Sequence, residues 1–283
     1  MPFQTDRDQF RREPQAPLAI LCDVHGNAQA LHAAANQIQD SHSDVETLVI
    51  LGDLFTYGCE PRGVIEIILE LSQKFAVWLV VGNHDEFYFD CLASSEDATK
   101  TLPDWIRETV DWTRNELGDK LEVLNDRRLW HRELVAEDLL LSHANPFDGH
   151  DWTYLNDEST RIRAIEALAT RDHRVGIFGH THRRFALQSS DSGKLKSLDD
   201  EYLFGNVISL SNGYWVLNPG SVGQPRERVP VASFALLRNQ NGELAVDYHA
   251  ITYDPQLQVD IIRQTKMSEE TKEQLVSYLI SKQ

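Results

Sequence analysis

The stretch LAILCDVHGN, residues 18–27, is an apolar run from Leu18 to Cys22 that breaks off into a polar cluster, Asp23-Val24-His25-Gly26-Asn27. A short apolar run ending abruptly in turn formers and titratable groups predicts a buried strand running into a loop. Behind it Leu31, Ala34, Ala35 and Ile38 recur at helical spacing, so the unit is strand, loop, helix.

Working outward, the unit repeats. Leu48 to Leu51 ends in Gly52-Asp53, and Pro61 to Phe75 follows with Val64, Ile68 and Leu71 on one helical face; Ala76 to Val81 ends in Gly82-Asn83-His84-Asp85. Strands alternating with helices predict βαβ crossovers and a mainly parallel sheet covered on both faces. Ligands of such sheets collect at the carboxyl ends of the strands, where these polar clusters fall. From residue 86 to about 135 the texture becomes helical and rich in aromatics, which predicts an insertion beside the sheet. Strand texture returns at Leu139 to Leu141, ending in Ser142-His143, and at Val175 to Phe178, ending in Gly179-His180-Thr181-His182. After Arg183, short strand-like runs separated by turn signals such as Asn241-Gly242 predict a second, antiparallel sheet. The core spans about 18–253, a helical tail occupies about 254–283, and the whole of 1–283 reads as one domain.

Of 283 residues, 41% are apolar and 25% charged, a balance that supports a packed core. The net charge of −17 argues against wrapping a nucleic-acid polymer, because such binding rests on Lys and Arg neutralising phosphates. Three cysteines, Cys22, Cys59 and Cys91, show no paired spacing, so no disulfide framework is expected. No apolar stretch has the length of a signal peptide or a membrane span, and a soluble, cytoplasmic protein is expected.

Five strand ends thus carry Asp23 and His25, Asp53, Asn83 and His84, His143, and His180 and His182. Carboxylate oxygens mixed with neutral imidazoles, and no thiolate partners, suit divalent ions such as Mn, Fe, Zn or Ni. Side chains two apart on a strand point the same way, so Asp23/His25 and His180/His182 would each serve one centre if strand geometry continued into the loops. Seven candidate ligands exceed what one ion takes from protein. Two ions sharing a carboxylate is the economical arrangement, and ions about 3.5–4 Å apart recur where a group at phosphorus is displaced.

These blocks together resemble the calcineurin-like metallophosphoesterases, whose pattern is Asp-x-His, Gly-Asp, Gly-Asn-His-Asp/Glu, a lone His and Gly-His-x-His. Asn218 to Arg226 resembles the signature of the YfcE-type bacterial and archaeal phosphoesterase branch. The resemblance covers roughly Leu18 to Tyr253. It implies a four-layer α/β-β/α sandwich of two mixed sheets flanked by helices, with a helical insertion. It also implies a dinuclear-metal phosphoesterase acting on small phosphodiesters or phosphomonoesters, diesters preferred, through attack of a metal-bridging hydroxide. Asp23, His25, Asp53 and His182 would hold one ion, and Asp53, Asn83, His143 and His180 the other, with Asp53 as bridge.

By the same resemblance His84 would protonate the leaving oxygen or stabilise its developing charge. Asp85 would orient a neighbouring imidazole or serve as an ordinary cap. Arg226 would contact phosphate, unless Gly220, Gly223 and Pro225 simply build a turn. The inserted stretch would be a lid or a contact between copies of the chain, which leaves a homo-oligomer open. A non-catalytic scaffold of the same fold is the alternative class, and a nuclease or protein phosphatase of the superfamily a third. Leu54-Phe55-Thr56-Tyr57-Gly58 stands where the protein phosphatases carry a phosphate-gripping Arg, and the complete histidine set disfavours the scaffold.

Overall fold

The computed structural model describes residues 14–92, 99–120, 129–148, 150–190, 193–198 and 200–280. In the first sheet β1 (Leu18–Leu21), β2 (Thr47–Leu51), β3 (Ala76–Val80) and β4 (Trp130–His131) run parallel. It continues antiparallel from β1 through β12 (Ser233–Gln240) and β13 (Glu243–Ala250) to β10 (Val207–Ser209), giving seven strands. The second sheet has the order β5 (Glu133–Ala136), β6 (Leu139–Ser142), β7 (Val175–Phe178), β11 (Tyr214–Asn218), β8 (Phe185–Ser189), β9 (Leu195–Leu198), with β6, β7 and β11 parallel.

The twofold alternation of strand side chains assigns the layers. Ala19, Leu21, Leu48 and Ile50 face outward under α1 (Ala28–Ser41) and α2 (Pro61–Leu71). Leu18, Ile20, Val49 and Leu51 face inward against Leu141, Ile177 and Leu217 of the second sheet. The outer side of that sheet, through Leu140, Phe178 and Val216, packs on Ala164, Ile165 and Leu168 of α5 (Glu158–Thr170). Helix, sheet, sheet, helix is the four-layer sandwich expected. Both strands of each inner pair bury the two faces, which is why they read as unbroken apolar runs rather than alternating ones.

Two expectations need correcting. The strands after Arg183 do not make a sheet of their own. The edges of the two βαβ halves still offer unpaired backbone groups, so β12 pairs with β1 (Leu18 opposite Leu237) and β11 enters beside β7 (Trp215 opposite Val175). The helical reading of the inserted stretch also runs too far. α3 (Asn83–Leu92) and α4 (Asp104–Leu117) are helices, but Trp130–His131 pairs with β3 and Glu133–Ala136 with β6, because buried Leu129, Trp130 and Leu134 belong to the cores. A single turn, α6 (Asp200–Leu203), follows β9, and the tail folds as α7 (Pro255–Gln264) and α8 (Glu269–Val276). The tail packs on Tyr57, Trp105 and Trp112 in a separate apolar cluster. No helix of the described residues is long and apolar enough to cross a membrane.

Candidate metal centre

The loops that follow β1, β2, β6 and β7, with the start of α3, meet at one end of the sandwich. Asp23 (φ 54°), His25 (46°), Asp53 (54°), His180 (65°) and His182 (56°) all adopt left-handed backbone. Non-glycine residues enter this region at a cost, and it persists where surrounding contacts fix it. Here the His25 N–H donates to Asp53 O (2.8 Å) and the His180 N–H to both Asp23 carboxylate oxygens (3.2 and 3.1 Å). Strand geometry therefore does not continue into the loops. His180 and His182 turn to different neighbours instead of serving one centre.

Two groups of ligand-type atoms result, each compact: Asp23, His25, Asp53 and His182, and Asp53, His143 and His180. All are buried, and Asp53 belongs to both. Asn83 Oδ1 lies 3.2 Å from His143 Nε2 and so joins the second group.

The imidazoles show what these groups can hold. Each spends one ring nitrogen on a backbone carbonyl: His25 Nδ1 on Phe55 O (3.1 Å), His143 Nδ1 on Leu51 O (2.7 Å), His182 Nδ1 on Gln224 O (2.7 Å) and His180 Nε2 on Trp152 O (3.0 Å). A carbonyl only accepts, so these nitrogens carry the hydrogen and the opposite nitrogens of neutral rings present lone pairs. Two such lone pairs face each other at 3.1 Å between His25 Nε2 and His182 Nε2. Asp53 Oδ2 lies 3.6 Å from His25 Nε2 and 3.4 Å from His143 Nε2, and has no hydrogen-bond partner among the described residues. Lone pairs and an orphaned carboxylate oxygen converging in a buried space fit cations, and a ring N–H tied to a carbonyl is the usual way a ligating His is oriented. The residues fit two divalent ions.

Electrostatics agree. Burial lowers His25 and His182, and brings His84 to about 4 and His180 to about 3, so these rings are neutral at pH 7. His143 goes the other way: burial opposes its charge, but Asp53 beside it pushes the ring up to about 10. A proton there does for Asp53 what a cation would do. Burial also opposes the charge of Asp23, yet His182 brings it down to about 2.

Asp85 bonds to no imidazole among the described residues, contrary to one expectation. Its carboxylate accepts from Asp53 N (2.7 Å), Leu54 N (2.9 Å) and Gly82 N (2.9 Å), capping the start of α3 and pinning the backbone that carries Asp53. Burial, with the Asp53 charge, pushes its carboxyl up to about 7. His84 presents its backbone N–H to Asp53 Oδ1 (2.9 Å) and its Nε2 to the Tyr57 hydroxyl (3.1 Å). Arg226 gives Nε and Nη2 to Gln224 Oε1 (3.2 and 2.6 Å) and lies over the Tyr278 ring at 5.3 Å.

The stretch 218–226 proves to be a clamp. Ser221 Oγ donates to Asp23 O (2.8 Å), Asn218 Nδ2 to Gly179 O (2.7 Å) and the Arg226 N–H to His182 O (3.0 Å), tying the loops of both sheets together. At Gly223 a Cβ would stand 1.8 Å from Val24 O, so only glycine lets the chain pass. Sequence reasoning missed Trp152, Gln224 and Tyr57. Trp152 and Gln224 act through backbone oxygens, for which no side-chain pattern exists. Among the aromatics of the insertion, Tyr88 and Phe89 are core residues, while Trp105 stacks on Tyr57.

A four-layer sandwich with a carboxylate shared by two imidazole groups at its strand ends is the metallophosphoesterase fold. Residues 17–242 match the family model of the calcineurin-like phosphoesterase superfamily domain, and the chain belongs to that superfamily. It is 25% identical over 231 residues to the uncharacterized protein MJ0912 of Methanocaldococcus jannaschii, covering 81% of this chain and 85% of that one. Among solved structures it resembles a metallophosphoesterase from Sphaerobacter thermophilus (24% identity, TM-score 0.71, 93% of this chain and 98% of that one). It also resembles the hypothetical protein PH1004 of Pyrococcus horikoshii (22% identity, TM-score 0.69, 91% and 96%).

Proposed function

We propose that this protein hydrolyses small phosphate esters, diesters ahead of monoesters, with Asp23, His25, Asp53 and His182 holding one divalent ion and Asp53, Asn83, His143 and His180 a second. The observation that carries the reading is the set of four imidazoles, each tied to a backbone carbonyl, whose other nitrogens converge with Asp53 Oδ2. Divalent ions there, of Mn, Fe, Zn or Ni type, would supply Lewis acidity and a water activated near neutral pH.

The chain's own residues do the rest. Asp85 fixes the Asp53 backbone through three N–H bonds, so the shared carboxylate keeps its place. Burial lowers the His84 ring, and its part is to offer a ring N–H to the leaving oxygen, protonating it or stabilising its developing charge. Arg226, part-buried at the same end, offers a guanidinium to a phosphoryl oxygen. The preference for diesters rests on the resemblance of Asn218 to Arg226 to the YfcE-type branch. A molecule of net charge −17 repels long polyanions, which favours small substrates over nucleic-acid polymers. Buried free thiols at Cys22 and Cys59 accord with a reducing, cytoplasmic setting.

The test is a screen of Mn-loaded protein against bis-p-nitrophenyl phosphate, p-nitrophenyl phosphate, cyclic nucleotides and dinucleoside polyphosphates. Metal-dependent turnover, faster on diesters, is expected. No hydrolysis of any of them at saturating metal would overturn the reading.

A further inference from the structure

Among the described residues, His84 is the one site histidine whose ring nitrogens find no backbone carbonyl. Its Nε2 meets only the Tyr57 hydroxyl, at 3.1 Å, and its Nδ1 is buried with no partner among the described residues. The ring stands edge-on to His25 (centroids 5.3 Å) and to Phe87 (5.3 Å), so it faces the first ligand group directly.

We propose that Tyr57 is the positioning residue of His84: its hydroxyl donates to Nε2, which fixes the tautomer with the hydrogen on Nδ1 and leaves that N–H as the donor for the leaving oxygen of the substrate. The assignment rests on the functional reading above for the role of the N–H, while the tautomer is argued from the contacts of a neutral ring. A Tyr hydroxyl can donate or accept, and a neutral imidazole does one at each nitrogen. If Nε2 donated, the phenol hydrogen and the Nδ1 lone pair would both be buried and unmatched. With the phenol donating, a single group is left over, and it is a donor on a ring edge-on to His25 of the first ligand group. One unsatisfied buried group costs less than two.

The rest of the molecule is arranged around Tyr57. Its backbone is left-handed (φ 68°), as is that of Thr56 (71°), whose hydroxyl meets Tyr88 Oη at 2.8 Å. Its ring stacks on Trp105 of α4 (5.5 Å, 23°) and neighbours Tyr278 beyond α8 (6.5 Å). Those two helices are joined by Glu108, which accepts from Ser268 N (2.7 Å) and Ser268 Oγ (2.6 Å). Helix α4 and the tail thus converge on the ring of Tyr57, a shape expected of a buttress.

Tyr57→Phe keeps the stacking ring and deletes the hydroxyl. In the zinc-loaded wild type, the ¹⁵N shifts of His84 should report a protonated Nδ1 and an unprotonated Nε2; in Tyr57→Phe the pattern should move toward Nε2–H. Kinetically, kcat should fall about tenfold with an alkyl leaving group and by less than about twofold with p-nitrophenolate, at unchanged KM and metal content. Adding Tyr57→Phe to His84→Ala should cost nothing more. An Nε2–H tautomer in the wild type, an equal loss on both leaving groups, or a loss that persists without His84 would each overturn the assignment. If the wild type hydrolyses nothing, the functional reading falls, while the tautomer still decides the Tyr57 contact.

Discussion

Between the sheets, Ile20, Val49, Leu51, Leu141, Ile177 and Leu217 are buried on strands whose backbone groups pair with their neighbours. A few residues further along the same strands, Asp23, His25, Asp53, His143, His180 and His182 are buried as deeply. The first region gains free energy by leaving water, roughly 25 cal/mol for each Å² of apolar surface. The second forfeits hydration at every side chain, and its backbone is strained as well. Seven of the eleven non-glycine residues with positive φ among the described residues lie in the site loops: Asp23, His25, Asp53, Thr56, Tyr57, His180 and His182. Such strain holds only because the sandwich over-determines it. The apolar core is the scaffold whose stability the polar end consumes.

The two regions should respond to substitution in opposite ways, and the largest effect belongs to the polar end. Asp53→Asn removes the carboxylate common to both ligand groups. It should lower kcat/KM by on the order of 10³-fold or more, since several kcal/mol of charge stabilisation at the reacting group would depend on the ions proposed to share it. Metal content, measured on the purified variant, should fall with activity while the fold persists. A variant that keeps both its metal and its turnover would break the contrast, because Asp53 would then be an ordinary buried acid.

Ile20→Ala is the mirror case. It deletes buried methyl groups from the inter-sheet core and should cost about 2–5 kcal/mol in urea unfolding. The folded fraction should retain its metal content and kcat. Loss of metal at full folding would show that the two regions are not separable.

The same division explains what was legible beforehand. Strand ends could be read because burial on both faces writes an unbroken apolar run, and the polar blocks after Leu21, Leu51, Val80, Ser142 and Phe178 stand out against it. The candidate ligands are side chains and are visible as letters. Their supports are not. Phe55, Leu51, Trp152 and Gln224 orient the imidazoles through carbonyl oxygens that every residue has. The left-handed turns at Asp23 and His180 are set by tertiary hydrogen bonds rather than by residue type, which is why the alternation of a strand misled at His180 and His182. Sheet membership after Arg183 was hidden for a related reason: short strands carry no mark of which open edge they will complete.

The pH dependence is the most diagnostic, because it separates the regions by the shape of a curve. After chelation, His84 and His180 have folded pKa values of about 4 and about 3 against 6.5 in the unfolded chain. Below pH 6.5 the unfolded chain binds protons that the folded chain refuses, so each ring costs about 2 kcal/mol by pH 5. His25 and His182 are lowered too and act in the same direction. Asp85, raised to about 7 from 3.8, works against them, since its stabilisation grows as pH falls from 7 toward 4. One carboxyl does not offset four imidazoles, so stability should fall toward acid. On the alkaline side His143, raised to about 10, contributes fully below pH 6.5 and loses its contribution as pH rises toward 10. Thermal midpoints of the chelated protein should therefore pass through a maximum near pH 6.5–7. Saturating divalent metal should flatten the alkaline limb, because a cation replaces the extra proton of His143 beside Asp53. Ile20→Ala should lower the whole curve without moving its maximum; a shifted maximum would mean that the apolar core and the buried imidazoles titrate as one unit.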